Sequence, residues 1–347
     1  MTQVAPGRPS SGFKDGNVLE VRDLHVSFGV HGGTVRAVRG LNLTIPAGTT
    51  VGLVGESGCG KSVSALTIMR LLERNARVNK GTIRFRGKDI LALPEGEMQQ
   101  IRGNDISMIF QEPMTALNPV FSVGDQIAES VEIHQVAEGA DARKRATTLL
   151  ELVGIADAKR LYNEYPHELS GGMRQRVMIA MALACDPDLL IADEPTTALD
   201  VTIQAQILEL MRDLKKRTGA AILLITHDLG VVAEMCDEVA VMYGGRIVEH
   251  TSTRQLYANP KHPYTVGLLE SIPRLHQKQD RLHVIRGNVP NPLTTPPGCS
   301  FHPRCPKAFE PCPRFVPSLS TVELGHKVAC FLYPEVQKMK DEDEVEA

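Results

Sequence analysis

The hydrophobic positions of this chain gather into short uninterrupted runs instead of alternating with polar positions. Such runs are typical of strands that are buried on both faces of a parallel sheet. Segments with helical periodicity fill the intervals, so the pattern predicts a βαβ arrangement with ligand chemistry at the carboxyl ends of the strands. The predicted strands are Thr50–Val54, Leu189–Ala192 and Ala221–Ile225, and the predicted helices are Ser62–Leu72, Arg174–Ala184 and Val201–Lys216.

The flanking segments carry weaker patterns, which set the expected domain limits. Val18–Phe28 and Leu41–Ile45 are predicted strands of a smaller antiparallel layer that Gly81–Arg86 joins. After Val248 the strand pattern stops, and a helix is expected around Tyr264–Ile272. The expected organisation is a flexible N-terminus (1–17), a main domain (18–250) with a helical subdomain (about 95–170), a small C-terminal domain (251–334) and an acidic tail (335–347).

Composition narrows the function classes. Of the 347 residues, 42% are hydrophobic and 23% charged, which is ordinary for a globular protein and excludes collagen-like or largely disordered chains. The net charge of -3 gives no reason to expect a nucleic-acid partner. No apolar run approaches the roughly 20 residues that span a bilayer, and the N-terminus lacks the apolar core of a secretory signal. A cytosolic protein is expected, with any membrane role exerted through a partner.

The segment Gly55–Ser62 has the spacing G-x-x-x-x-G-K-[ST] between a predicted strand and a predicted helix, the context that this motif requires. Its glycines let backbone N–H groups surround a phosphate at a helix N-terminus, whose dipole favours anions. Lys61 adds a cation for the β- and γ-phosphates, and the Ser62 hydroxyl is a ligand for Mg²⁺. This segment, the phosphate loop, predicts a nucleotide site with contacts from Gly55, Ser57, Gly58, Cys59, Gly60, Lys61, Ser62 and Val63.

Cys59 admits two interpretations. Its side chain points away from the loop as a tolerated small residue, or it is a redox-sensitive thiol in an electropositive surrounding.

Polar side chains at the end of the second buried strand supply catalytic chemistry. Asp193 is placed to hold Mg²⁺ through water, and Glu194 to orient or deprotonate an attacking water. Gln111, in the turn after Phe110, is a polar group able to reach the metal or the water. The alternative is an acidic pair that caps a helix before Pro195.

Ser170, Gly171 and Gly172 open a strongly apolar helix, with Ser170 at the N-cap. The two glycines leave the first N–H groups exposed, which makes a second anion-binding helix terminus. A plain Ser-Gly-Gly helix start is the structural alternative.

In order and spacing, these motifs resemble those of ATP-binding-cassette (ABC) ATPases. The resemblance covers residues 18 to about 250 and implies an α/β fold of the ABC type, with a RecA-like parallel-sheet P-loop core, an antiparallel β layer and an inserted helical subdomain. In that family two cassettes pair head to tail, and the Ser-Gly-Gly segment of one completes the ATP site of the other. The matching segments are Gly55–Ser62, Gln111, Ser170–Gln175, Leu189–Glu194, Thr197–Asp200 and His227.

The resemblance implies a role for each position. Lys61 and Ser62 bind phosphate and Mg²⁺, Asp193 supports the metal, Glu194 is the catalytic base, and His227 contacts the γ-phosphate. Ser170, Gly171, Gly172 and Gln175 cap the partner's nucleotide, and Asp200 lies on the dimer seam. Phe28 matches the aromatic residue that stacks on adenine, and this role is favoured over the alternative of a core position, which its alternation with Leu24 and Val26 on one strand face also allows. The motifs are intact, so a hydrolytically competent site is expected.

Three further strings resemble the ATP-binding subunits of dipeptide and oligopeptide permeases. They are Met108–Pro119, His262–Leu269 and Gly298–Pro306. The resemblance implies a bacterial ABC importer at the cytoplasmic face of the plasma membrane. Its expected partners are a second ATPase subunit, two membrane permease subunits that face residues 111–121, and, indirectly, an extracytoplasmic peptide-binding protein. The 58 residues between Gln111 and Ser170 leave no room for the coiled coil of chromosome-maintenance or DNA-repair relatives.

Four cysteines near the C-terminus predict a metal site, because a reducing cytosol disfavours disulfides. They are Cys299, Cys305, Cys312 and Cys330. Their wide gaps do not suit a simple zinc ribbon, whereas thiolates arriving from separate loops suit a [4Fe-4S] cluster whose charge Arg304, Lys307 and Arg314 partly offset. The resemblance to peptide-permease ATPases also implies such a cluster. Zinc and free or disulfide-bonded cysteines are the alternatives.

Two other functions stay open at this point. One is a regulatory nucleotide-binding subunit that barely hydrolyses ATP, against which Glu194 and His227 argue. The other is the same importer role with a different cargo, such as nickel chelates, glutathione or other small solutes, since no residue of this subunit reports the cargo.

Overall fold

The computed structural model describes residues 16–112, 116–197, 199–272 and 284–339. Its helices and strands follow one another as β1 (Asn17–Val30), β2 (Gly33–Pro46), β3 (Thr50–Val54), α1 (Lys61–Ile68), β4 (Ala76–Phe85), β5 (Lys88–Asp89), α2 (Glu95–Ile101), β6 (Ile106–Ile109), α3 (Val123–Ile133), α4 (Gly139–Leu152), α5 (Ala158–Leu161), α6 (Gly171–Ala182), β7 (Leu189–Asp193), α7 (Val201–Thr218), β8 (Ala221–Thr226), α8 (Leu229–Met235), β9 (Glu238–Tyr243), β10 (Arg246–Ser252), α9 (Thr253–Ala258), α10 (Pro263–Glu270), β11 (Val316–Pro317), β12 (Ser320–Glu323), β13 (His326–Val328) and β14 (Lys338–Met339).

The chain divides into two compact units. Of the described residues, the helical unit contains those up to Leu19, from Thr44 to Thr50 and from Arg84 to Ile225. The phosphate-loop unit contains Glu20–Leu43, Val51–Ile83 and the described residues from Thr226 to Met339. Within the described ranges, every helix is too short or too polar to cross a membrane.

The helical unit is built on three parallel strands. β6 pairs with β7 from Ile106↔Leu189 to Ile109↔Ala192, and β7 pairs with β8 from Leu189↔Ala221 to Asp193↔Ile225. All five residues of β7 are buried, as the uninterrupted apolar run predicts. The helices α3 and α4 belong to the insertion with the predicted helical pattern, and they pack against each other and against α6.

The phosphate-loop unit contains a second set of strands. β3 pairs in parallel with β9, and β9 pairs antiparallel with β10. The strand β13 continues this set beside β10, and β12 lies next to β13. The strands β2, β1 and β4 are hydrogen-bonded in that order and lie for most of their length in this unit, in agreement with the predicted smaller layer.

Element boundaries differ from the prediction at three places. α1 ends at Ile68, before the predicted end at Leu72, because Arg70 adopts a left-handed φ of 53° that interrupts the helix. α6 begins at Gly171, three residues before the predicted start at Arg174, and Ser170 is its N-cap as predicted. The strand pattern does not stop at Val248, since β10 continues to Ser252 and four short strands follow in the described part of the chain; strands of two to four residues are too short for a period to identify.

Parts of several predicted segments lie outside the described residues. They are 1–15 of the N-terminus, 113–115 of the loop expected to face the permease subunits, Ala198 of Thr197–Asp200, and 340–347 of the acidic tail.

Candidate functional site

The phosphate loop leaves the buried strand β3 through glycines that no other residue can replace without distortion. Gly55 has a φ of +156°, and a Cβ there would lie 2.2 Å from the carbonyl oxygen of Met242. Gly60 has a φ of +107°, and a Cβ would lie 2.4 Å from the carbonyl oxygen of Ala37. A Cβ on Gly58 would instead meet nothing within 4 Å, so the middle of the loop is open.

Lys61 turns back into the loop from the first position of α1. Its Nζ donates hydrogen bonds to the carbonyl oxygens of Gly55 at 2.8 Å and Glu56 at 3.0 Å, and the residue is 5% exposed. A buried ammonium inside a glycine-rich loop at a helix N-terminus is the chemistry that binds phosphate. The loop therefore fits the triphosphate of ATP, with Ser62 directly after Lys61 as the residue that would ligate Mg²⁺.

Cys59 is buried beside Lys61, with its Sγ 3.8 Å from Nζ. Burial raises the pKa of the Cys59 thiol above its ordinary value, and the positive charge of Lys61 offsets only part of that rise. A thiol with a raised pKa is protonated at neutral pH and is a weak nucleophile. The structure favours the interpretation of Cys59 as a small packing residue.

Gln111 and Glu194 meet beyond the carboxyl ends of β6 and β7. Gln111 Nε2 donates to Glu194 Oε2 at 3.1 Å, and Thr197 Oγ1 donates to the same oxygen at 2.8 Å. Glu194 has a left-handed φ of 48°, an uncommon backbone conformation for a residue that is not glycine and one that often marks functional positions. Asp193 precedes it as the buried last residue of β7.

His227 lies near the phosphate loop within the same unit. It is exposed after β8, and a cavity of about 350 Å³ has Gly55, Glu56 and His227 among its lining residues. The structure thus brings a predicted γ-phosphate contact to the start of the loop. Phe28, the predicted adenine-stacking residue, is half-exposed in β1, whereas Leu24 and Val26 of the same strand are buried.

The predicted dimer-facing residues lie at two helix starts of the helical unit. Ser170 is exposed at the N-cap of α6, and its hydroxyl accepts a hydrogen bond from the Met173 N–H at 3.3 Å. Gly171 is exposed, and a Cβ there would meet nothing within 4 Å, whereas on Gly172 a Cβ would lie 3.1 Å from Ile203. Asp200 is exposed and caps α7 through the Ile203 N–H at 3.0 Å.

Gln175 takes a position that the sequence does not predict. It is buried, and its Nε2 donates to the carbonyl oxygen of Pro195 at 2.6 Å. It therefore supports the turn after Glu194 from within the chain, and its predicted contact with a partner's nucleotide stays a prediction.

Comparisons with known proteins agree with this arrangement. A family model described as ABC transporter matches residues 38–197, and one described as oligopeptide/dipeptide transporter, C-terminal region, matches residues 248–312. The chain is 54% identical over 331 residues to a probable peptide ABC transporter ATP-binding protein of Sinorhizobium fredii, covering 95% of this chain and 99% of that one. This chain belongs to the ABC transporter ATPase family. It is also 52% identical over 319 residues to the oligopeptide transport ATP-binding protein AppD of Bacillus subtilis, covering 92% of this chain and 97% of the relative.

Solved structures give the same fold for this ABC transporter ATPase. A dimeric ATP-binding cassette in a post-hydrolysis state, bound to ADP and Pi, aligns with a TM-score of 0.62 at 26% identity, covering 68% of this chain and 99% of that one. The match establishes the cassette fold predicted from the motifs, and family membership establishes the use of ATP and Mg²⁺.

Sequence reasoning missed four contacts of this ABC transporter ATPase. Thr197 and Gln175 are polar residues beside Glu194 whose partners are visible only in the structure. Arg304 was expected to offset the charge of a cluster, but its guanidinium pairs with the Glu56 carboxylate of the phosphate loop. Arg314, expected in the same role, pairs with Glu310 four residues earlier in the sequence.

The structure does not support the predicted [4Fe-4S] site. All seven cysteines lie in described segments and form no disulfide bond, and those segments contain no group of three or more His, Cys, Asp or Glu side chains arranged to hold a metal ion. The four C-terminal thiols are nevertheless neighbours. Burial and, to a smaller extent, the nearby Cys312, Cys330 and Cys305 together raise the pKa of Cys299 to about 12. As placed, these thiols do not fit a cluster.

Proposed function

We propose that this chain is the ATP-hydrolysing subunit that energises a bacterial ABC importer for dipeptides and oligopeptides. The observation that carries the ATPase role is the Glu194 carboxylate held by Gln111 and Thr197, in a chain whose phosphate loop is intact. The peptide cargo is supported by the match of residues 248–312 to the C-terminal region of peptide transporters and by the names of the relatives.

Each residue has a distinct part in the proposed mechanism. Lys61 and the loop amides bind the β- and γ-phosphates, and Ser62, Gln111 and Asp193 would hold Mg²⁺, which neutralises charge on the phosphates when bound. Glu194 accepts a proton from the attacking water, and the two hydrogen bonds to its Oε2 fix the direction in which the carboxylate points. His227 contacts the γ-phosphate, and Phe28 stacks on adenine.

Substitution of Glu194 and Lys61 tests the mechanism. Glu194→Gln keeps the shape of the side chain and removes the base, so we expect unchanged ATP affinity and a rate of phosphate release at least about 100-fold lower. Lys61→Ala removes the phosphate cation, so we expect loss of binding in a titration with fluorescent nucleotide.

Two exposed residues of α7 supply matched controls. Glu209→Gln and Lys216→Ala make the same chemical changes at exposed positions and should leave binding and hydrolysis unchanged. Wild-type hydrolysis by Glu194→Gln would refute the assignment of the base. Little hydrolysis by the wild type, even with its partner ATPase present, would favour the regulatory alternative.

We further propose the partners that the family implies. Ser170, Gly171, Gly172 and Asp200 would contact a second ATPase subunit, and the neighbouring Val201 is an apolar residue with 83% exposure, which suits a surface covered in a dimer. Permease subunits would contact the region of Val120 and Phe121, which are 72% and 53% exposed beside a groove that includes Asp125 and Glu129. Such contacts would place the subunit at the cytoplasmic face of the membrane, below an extracytoplasmic peptide-binding protein.

Growth tests separate the possible cargoes. A strain that lacks this subunit should fail to grow on dipeptides or oligopeptides as the sole nitrogen source, and the intact gene should restore growth. Normal growth on peptides, combined with loss of nickel or glutathione uptake, would select the alternative importer.

We also propose the domain limits given by the sequence, with an ATPase domain over 18–250, its helical subdomain over about 95–170, and a small cysteine-rich domain over 251–334. This last domain contains Cys299, Cys305, Cys312 and Cys330, whose thiols as placed do not form a metal-binding group. A [4Fe-4S] cluster stays a prediction from the cysteine spacing. Brown colour with iron and acid-labile sulfide after anaerobic purification would confirm it, and a colourless protein with stoichiometric zinc would refute it.

A further inference from the structure

The C-terminal part of the chain contacts the phosphate loop at Glu56, the residue after Gly55. Arg304 lies 248 residues later in the sequence, and its guanidinium donates to both carboxylate oxygens of Glu56. The two hydrogen bonds run from Nη1 to Oε2 at 2.6 Å and from Nη2 to Oε1 at 3.0 Å. A pair with two bonds fixes the orientation of the carboxylate as well as its distance, which a single point charge does not do.

Burial strengthens this ion pair. The Arg304 side chain is 4% exposed and the Glu56 side chain 26% exposed, so salt screens the pair less than a surface pair. Arg304 is itself held in place, because its Nε donates to the carbonyl oxygen of Arg286 at 3.1 Å and its Nη1 lies 3.3 Å from the Tyr243 hydroxyl. The guanidinium is therefore a fixed partner for the loop.

Tyr264 provides a second contact with the same loop residue. The backbone N–H of Glu56 donates to the Tyr264 hydroxyl at 2.9 Å. Tyr264 belongs to α10 and is fully buried, with its ring 4.6 Å from that of Tyr243 and 5.4 Å from that of Phe301, measured between centroids. The aromatic packing determines where the hydroxyl lies, and the hydroxyl determines where the Glu56 amide points.

All three kinds of polar group on Glu56 are thus engaged. The carboxylate accepts from Arg304, the N–H donates to Tyr264, and the carbonyl oxygen accepts from Lys61 at 3.0 Å. The glycines at 55, 58 and 60 would otherwise give this loop a large conformational freedom. The contacts from the C-terminal segment restrict that freedom before a nucleotide binds.

We propose that Arg304 and Tyr264 are positioning residues for nucleotide binding, through which the C-terminal segment holds the phosphate loop at Glu56 in its binding conformation. Fixing a loop in advance lowers the entropy that the ligand must remove on binding. ATP affinity is thereby coupled to the fold of the segment that matches the peptide-transporter C-terminal model. The inference rests on the proposed nucleotide site at Gly55–Ser62.

A double-mutant cycle on the full-length protein tests the proposal. Glu56→Gln, Arg304→Gln and the double variant are titrated with fluorescent ATP, and KM and kcat are measured for those that hydrolyse it. We expect Arg304→Gln to raise the dissociation constant and KM about tenfold with kcat within about twofold, since one charge-assisted pair is lost from the loop. The double variant should bind no more weakly than either single variant, because both remove the same interaction.

Conservative variants keep the test decisive if Arg304→Gln does not fold. Arg304→Lys retains the charge with a single donor group and should lie between the wild type and Arg304→Gln. Tyr264→Phe retains the ring and should raise the dissociation constant about threefold with little change in melting temperature. Arg314→Gln breaks an exposed pair with Glu310 in the same segment and should bind ATP like the wild type.

The outcomes separate this inference from the proposed function. If Lys61→Ala binds ATP like the wild type, the proposed nucleotide site is wrong. If Lys61→Ala loses ATP while Arg304→Lys and Tyr264→Phe bind it with wild-type affinity, the positioning role alone is overturned. Additive effects of Glu56→Gln and Arg304→Gln would also contradict it.

Discussion

At the scale of single residues, the phosphate loop depends on where a side chain is forbidden as much as on where one is present. Lys61 and Ser62 supply chemistry, but the backbone that presents them needs left-handed conformations and close approach to other carbonyl groups. Glu194 is the opposite case. Its charged side chain is required, but its left-handed backbone conformation is one that glycine adopts more readily.

Gly60→Ala tests the steric requirement. The added Cβ would lie 2.4 Å from the carbonyl oxygen of Ala37 at a φ of +107°, so the loop must shift. We expect at least about tenfold weaker ATP binding and a loss of about 1–3 kcal/mol in the free energy of unfolding. Fluorescent-nucleotide titration and urea denaturation measure the two effects.

Gly87→Ala is the matched control, since its φ is +79° but a Cβ would meet nothing within 4 Å. It should lower the free energy of unfolding by about 1 kcal/mol, through backbone strain alone, and leave ATP binding unchanged. Equal effects of the two variants on ATP binding would show that the approach to Ala37 is not what constrains the loop.

At the scale of secondary-structure elements, helix packing in the helical unit uses a glycine as a contact surface. Gly124 lies in α3, and the Tyr162 ring packs directly over it, with a Cβ position only 2.1 Å from the ring. The Tyr162 hydroxyl donates to Asp125 of the same helix at 2.9 Å, which keeps the ring in place. The tyrosine therefore cannot move aside without losing a hydrogen bond.

Gly124→Ala is expected to destabilise the protein, although the substitution favours an isolated helix. Overpacking against Tyr162 should lower the free energy of unfolding by about 1–3 kcal/mol. Gly96→Ala in α2 adds a methyl group in open space and should raise it by about 0.5 kcal/mol through helix propensity. Urea denaturation of both variants distinguishes packing from propensity, and changes of the same sign would contradict this account.

At the scale of the whole molecule, a buried polar network joins segments that are distant in the sequence. Glu249 of β10 accepts from His326 of β13 at 2.7 Å and from the N–H groups of Lys261 and His262 at 2.7 Å and 2.9 Å. Burial alone would raise the pKa of Glu249, but these hydrogen bonds, that from His326 first, lower it below the ordinary value. The carboxylate contributes stability above its unfolded pKa and loses that contribution as the pH falls through its folded pKa.

His262 gives the free energy of unfolding a second pH dependence, at higher pH than that of Glu249. Burial lowers its pKa from 6.5 to about 4, although the charge of Glu249 opposes the change. The unfolded chain therefore takes up the proton first as the pH falls, and the free energy of unfolding should decrease by about 3 kcal/mol between pH 6.5 and pH 4. Urea denaturation across this range measures the slope.

His262→Asn keeps a capping side chain at the start of α10 and removes the titrating group, so the slope between pH 6.5 and pH 4 should become shallower. His31→Asn removes an exposed histidine and should leave the slope unchanged. An unchanged slope in His262→Asn would show that this residue is not the source of the acid sensitivity.

Much of the fold could be predicted from the sequence, because several strands have a distinctive hydrophobic pattern. The apolar runs of β3, β7 and β8 identify buried parallel strands because both faces of each strand are covered. The short strands β11 to β14 escape prediction, because their few residues show no period and their positions depend on partners such as β10.

For the candidate site, the sequence by itself determined the loop chemistry of Lys61 and Ser62, the acidic pair Asp193–Glu194 and the cap Ser170, because each is a local motif in which neighbouring residues define the conformation. Only the tertiary structure decided the hydrogen bonds from Gln111 and Thr197 to Glu194 and the contacts of Arg304 and Tyr264 with Glu56. The physical reason is chain separation: a residue pattern encodes interactions over a few positions, whereas Arg304 finds a partner 248 residues away only after the intervening chain has folded.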